Sequence, residues 1–160
     1  MYKNLILQLN FKFLQKMANE IINGSDLMVF MGGKSIAYAT SHSLTISAET
    51  NDVTSKDSGN GDWSSAAVKK FSWECSTENL YSKEAYSQLY TAMIAKSPVT
   101  LVIDLKEGET LPEQGWSPVT SGTGYTGSAI ITSLEMSAPD GDNATFSCTF
   151  TGTGALTPRS

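Results

Sequence analysis

Five stretches of this chain alternate apolar and polar residues with a period of two. Leu44, Ile46 and Ala48 alternate with Ser43, Thr45, Ser47 and Glu49. Phe71, Trp73 and Cys75 alternate with Ser72, Glu74 and Ser76. Val99, Leu101, Ile103 and Leu105 alternate with Thr100, Val102, Asp104 and Lys106. Ile130, Thr132, Leu134 and Met136 alternate with Ile131, Ser133 and Glu135, and Ala144, Phe146, Cys148 and Phe150 with Thr145, Ser147, Thr149 and Thr151. Side chains on a strand point to opposite faces in turn, so each run has a face to bury and a face to wet. A mainly β, antiparallel fold follows.

Turn chemistry separates the runs. Gly32-Gly33 is expected to join Leu27–Met31 to a strand over 35–40 as a tight hairpin. Pro139-Asp140-Gly141-Asp142 is expected to join the last two long strands in the same way. Together these make about seven strands. One segment breaks the pattern. Ser82 can cap a helix through its hydroxyl, and Tyr86, Leu89, Tyr90, Met93 and Ile94 recur at helical spacing as one apolar stripe. Lys96 falls in the last turn, and Pro98 stops the helix. Such a helix belongs across an end or flank of the sheets.

Two long polar excursions interrupt the alternation. Residues 49–63 run from Glu49 to Trp63, and residues 107–127 hold Pro112 and Pro118 among several glycines. Connections longer than about 12 residues are uncommon in compact folds and usually have a use. The tail from Gly152 to Pro158 reads as a short flexible segment. Residues 1–16 are set apart as an N-terminal arm or a mis-called extension, because Met17-Ala18-Asn19-Glu20 looks like a natural start. Residues 17–160 then make a single domain.

Charge and residue types narrow the function classes. A net charge of −5 argues against a surface that grips nucleic acid, which needs clustered Lys or Arg. One histidine and two distant cysteines cannot easily supply a zinc site. No stretch approaches the ~18 apolar residues of a membrane span. Gly59-Asn60-Gly61 follows no strand-to-helix junction, so it is no dinucleotide fingerprint. His42 reads as a surface turn residue. No catalytic constellation emerges and no cofactor is expected. Trp63, Trp73 and Trp116 could form a sugar-binding platform, and an extracellular carbohydrate-binding β-sandwich is the alternative reading. Trp73 reads as core, and Trp63 and Trp116 border loops.

The order of features resembles the major tail tube proteins of long-tailed phages. It is carried by Gly24-Ser25-Asp26-Leu27-Met28-Val29-Phe30 before the Gly32-Gly33 turn, by residues 37–47, and by Asp52-Val53-Thr54-Ser55-Lys56-Asp57 with Trp63 after it. The closing run from Ala144 to Gly152-Thr153-Gly154-Ala155-Leu156 completes it. The resemblance covers residues 24–156 and extends in fold to the tube proteins of contractile injection systems.

It implies a β-sandwich or barrel with a flanking helix and a long extended loop, assembled as stacked hexameric rings into a conduit for the genome. Such a structural protein is not an enzyme. It sits in the virion tail and is synthesised in the bacterial host cytoplasm. Its partners are other copies of itself, the tail terminator, tape measure and baseplate proteins, and DNA only transiently in the lumen, with no membrane. The long loop, with Thr50, Asp52, Thr54, Lys56, Asp57, Asp62 and Trp63, is the expected contact between subunits or rings. Glu49, Glu74, Asp104 and Glu135 are the candidate acidic residues of the lumen wall.

Overall fold

A computed structural model of the chain describes residues 21–36, 38–53, 64–113, 115–120, 122 and 124–160. These residues form β1 (Leu27–Met31), β2 (Lys34–Ser35), β3 (Ala39–Asp52), β4 (Ala66–Leu80), α1 (Lys83–Ile94), β5 (Val99–Leu105), β6 (Tyr125–Ser137), β7 (Thr145–Gly152) and β8 (Thr157–Pro158). The strands join in one antiparallel sheet of order β2-β1-β5-β6-β7-β4-β3, with β8 added beside β6. The outermost strands β2 and β3 are separated by residues 36–38 alone. Four Cα steps span at most about 14 Å. The sheet must therefore curl until its two edges approach, which makes it sandwich-like. Those edges do not pair, so it is not a closed barrel.

The expected Gly32-Gly33 hairpin is present. Met31 pairs with Lys34, and the two glycines have φ of +61° and +82°, as a type I′ turn requires. The strand expected over 35–40 is broken instead. Tyr38 takes φ +56° and turns the chain from β2 at one edge to β3 at the other. The turn between β6 and β7 is wider than a two-residue hairpin, since the last pair is Ser137 with Thr145.

The core lies on the concave face. Val29, Trp73, Cys75, Leu101, Ile131, Phe146, Cys148 and Phe150 are buried together with Leu89 of α1. In β6 the strict alternation fails at a bulge between Ile131 and Ser133. The extra residue switches the parity, so Ile131 and Leu134 both face the core. The helix is rotated from its expected stripe. Ala85, Tyr86, Leu89, Ala92 and Met93 meet the core, while Tyr90 and Ile94 stand exposed. Ser82 holds the N-cap position in extended conformation, but its hydroxyl makes no capping bond. Lys96, with φ +54°, lies past the helix end.

The tail is built in. Thr157 and Pro158 pair with Thr126 and Tyr125 of β6, and the Trp73 indole N–H donates to the Gly154 carbonyl at 2.8 Å. Loop 107–124 is pinned likewise. Ser35 donates its backbone N–H to the Trp116 carbonyl at 2.9 Å, and Lys106 lies 4.6 Å over the Trp116 ring. Trp116 therefore covers the outer edge of β2.

Candidate assembly surfaces

Three surfaces stand out. The first is the polar face of the sheet. Residues opposite each other in antiparallel strands share a face, and registers carry one face across β3, β4, β7 and β6. One row reads Ser43, Ser76, Thr149, Ser133, and the next reads Ser41, Glu78, Ser147, Glu135. Thr45, Glu74 and Thr151 form a third. Hydroxyls knit the rows, with Ser43 Oγ 2.8 Å from Ser76 Oγ and Ser41 Oγ donating to Glu78 Oε2 at 3.1 Å. Among the described residues, Glu74, Glu78 and Glu135 meet no Lys or Arg in an ion pair.

This face gathers three of the four acidic candidates. Glu74 and Glu135 are exposed on it, and Glu49 lies farther out, 3.3 Å from Lys69 and 3.9 Å from Lys70. Asp104 is not there. It is 1% exposed, with Oδ1 accepting the Leu105 N–H and Oδ2 held by Arg159. A carboxylate enclosed in this way cannot line a channel, and the expectation that Asp104 belongs to the lumen wall fails on its burial. The alternation of β5 concealed this because both of its faces are covered. Glu78, which the alternation did not single out, stands two rows along from Glu74 on the same strand face, with Ser76 between them.

The second surface is an arm. β7 pairs with β4 only from Glu74 to Leu80, yet β4 begins at Ala66. Beyond Glu74, β3 and β4 run on as a two-stranded ribbon. Thr50 and Asp52, expected in a loop, are paired in that ribbon with Val68 and Ala66. Thr54, Lys56, Asp57, Asp62 and Trp63 lie outside the described residues. Phe71 was expected beside Trp73 in the core. It is 73% exposed, because no third strand reaches that level. Between Glu49 and Thr50 a bulge shifts the register, so Val68 lies opposite Thr50 on the same face as Phe71 and Ile46. That leaves an apolar stripe in water.

The third is a groove of about 580 Å³ between the β1–β2 hairpin, α1 and loop 107–124. Met31, Ile36, Leu89 and Trp116 contribute to its lining, with Tyr38 and Leu111 among its exposed members. His42 is half-buried in β3 opposite Thr77, not in a turn, and its Nδ1 is buried without a partner. Burial lowers its pKa. Among the described residues no group of His, Cys, Asp or Glu could hold a metal ion, and no helix is long and apolar enough to cross a membrane.

Comparison with known proteins decides the family. The family model described as phage tail tube protein matches residues 26–158. The chain belongs to the phage tail tube protein family. Its role is accordingly structural, in a phage tail tube. A chain of the virion of a native gene transfer agent particle has the same fold, with a TM-score of 0.68 at 20% identity, covering 88% of this chain and 100% of that one. A chain from the tail of an empty gene transfer agent particle with C6 symmetry gives the same figures. The SPP1 tail tube protein follows at TM-score 0.61 and 11% identity, over 88% of this chain and 80% of that one. No curated protein matches the chain.

Proposed function

We propose that this subunit forms six-membered rings, that the rings stack into a tube through which a phage genome passes, and that the Ser/Thr/Glu face of β3, β4, β7 and β6 lines the bore. The reading is carried by that face having an open edge on each side. No strand pairs with the outer edge of β3 among the described residues, and β5 reaches β6 only from Tyr125 to Ala129, which leaves Ile131–Ser137 free on that side. Unpaired edges add strands from a neighbour. A neighbour's β3 laid against the free part of β6 would continue the polar face from subunit to subunit until a ring closes. The C6 symmetry of the gene transfer agent tail supports six. The exposed glutamates suit a polyanion's passage, because like charge keeps DNA from adhering.

The arm, with Thr50 and Asp52 in its ribbon and the residues from Thr54 to Trp63 beyond it, is the proposed contact with the next subunit or ring. Residues 17–160 act as one tube domain. Tail terminator, tape measure and baseplate proteins are the proposed partners, and the virion tail, after synthesis in the bacterial host cytoplasm, is the proposed location. No catalysis is involved.

The test is charge reversal with Glu74→Lys, Glu78→Lys and Glu135→Lys in purified protein viewed by negative-stain microscopy. Tubes should still form, and they should retain added duplex DNA at low salt and release it as salt rises. Tubes that never retain DNA would remove these residues from the bore. Wild-type protein that stays monomeric at high concentration would remove the tube itself.

A further inference from the structure

The subunit carries two unpartnered apolar features that cannot meet within one molecule. Apart from Ile21, the three most exposed large apolar side chains among the described residues are Phe71 at 73%, Tyr38 at 66% and Leu111 at 61%. Phe71 belongs to the arm, with Ile46 and Val68 beside it. Tyr38 and Leu111 belong to the groove. Tyr38 is held there by a backbone conformation that non-glycine residues seldom adopt, which marks a position under constraint.

Geometry rules out self-contact. Phe71 pairs with Ala48, and the groove reaches β3 at Ala39. The nine steps from Ala39 to Ala48 lie on one continuous strand and span about 30 Å. The arm points along β3 away from the groove and cannot fold back into it. A protruding patch and a recess on different parts of one molecule make a head-to-tail contact, which repeats from copy to copy. The charges agree. Lys69 and Lys70, the two residues before Phe71, share one carboxylate, Glu49. The groove includes Glu84 and Glu113, neither ion-paired among the described residues, against one cation, Lys34, whose ammonium donates to the Ser117 hydroxyl, so its lining is acidic by one charge.

We infer that the groove is the acceptor for the arm of a second copy of this chain. Phe71 seats against Leu111 and Tyr38, and Lys69 and Lys70 lie near Glu84 and Glu113. The inference rests on the tube reading and adds to it the surface that receives the arm. That surface is distinct from the strand edges that close a ring.

The experiment mixes two single variants, Phe71→Cys and Leu111→Cys, lets tubes assemble, and oxidises them. Cys75 and Cys148 are buried and do not compete. Disulfide-linked dimers are expected in the mixture and absent from either variant alone. A mixture of Phe71→Cys with Ile94→Cys, placed on the exposed side of α1, should give none. Mixed tubes without dimers, or with equal dimers in the Ile94 control, overturn the groove as acceptor. Where a folded variant does not assemble, amide hydrogen exchange of wild-type tubes decides. Exchange at Leu111–Glu113 should slow at least tenfold on assembly, and unchanged exchange there overturns the inference. Wild-type protein that forms no rings or tubes overturns the tube reading instead.

Discussion

The guanidinium of Arg159 lies 2.5 Å from the carboxylate of Asp104, which is 55 positions earlier in the chain and 1% exposed. Arg159 also donates to the Val119 carbonyl at 3.3 Å, and its backbone N–H donates to the Gly124 carbonyl at 2.9 Å. One residue thus ties β5, loop 107–124 and the start of β6 together. Removing one member of a buried pair leaves a charge without compensation, at about 3–5 kcal/mol. Arg159→Ala should lower the melting temperature by on the order of 10 °C. Adding Asp104→Asn removes the stranded charge and should recover a good part of that loss. Thermal unfolding of both variants checks this, and a double variant no better than the single would assign the effect to packing.

Gly152 closes against Trp73. A Cβ placed there would lie 2.2 Å from Trp73 Cε2 and 2.3 Å from Nε1. The indole is 5% exposed, and its N–H is committed to the Gly154 carbonyl, so the ring has no free space to retreat into. Gly152→Ala should destabilise the subunit by roughly 1–3 kcal/mol through overpacking. Denaturant titration should show a lower midpoint with an unchanged slope.

Much of the sheet was readable because one-sided strands announce themselves by alternation. β7 follows its pattern, with Phe146, Cys148 and Phe150 inward and Ser147 and Thr149 outward. Where the reading failed, a long-range relation was responsible. Nothing local says that β7 stops at the level of Glu74 and leaves Phe71 bare. The bulge in β6 moves Leu134 to the buried face by inserting one residue, a shift that alternation alone does not reveal. Asp104 looked like the polar member of an alternating strand, and its partner lies in a tail that looked unstructured. Of the candidate wall, Glu74 and Glu135 were legible because polar strand faces are local. Their assembly into one face with Glu78 depends on register.

His42 gives the fold a dependence on pH. Burial lowers its pKa below the ordinary 6.5, so the folded state favours the neutral ring. In the unfolded chain the ring takes up a proton near the ordinary value. Above about pH 8 both states are neutral, and this residue contributes no slope. As pH falls through 6.5 the unfolded state gains protons first, and stability declines toward the lowered folded pKa. His42→Gln should flatten that part of the profile. The measurement is the difference in unfolding free energy between wild type and variant from pH 7.5 to 5. A difference that does not change with pH would mean that His42 titrates normally.

The two thiols offer a probe of opening. Cys75 pairs with Phe150 and Cys148 with Thr77, so they are diagonal neighbours on the buried face of β4 and β7. Burial raises the Cys75 pKa to about 11, and burial with the nearby Cys75 raises Cys148 to about 12. The reactive thiolate is therefore scarce at neutral pH, and reagent cannot reach either sulfur. Both should resist a thiol-specific reagent in the native subunit and react promptly in denaturant. Because β4 carries the arm and the polar face, slow native-state labelling would report opening of the strand pair on which both depend. Labelling at the rate of an exposed cysteine would show that β4 and β7 part readily. The buried ion pair and the Trp73 packing would then have to hold the subunit without them.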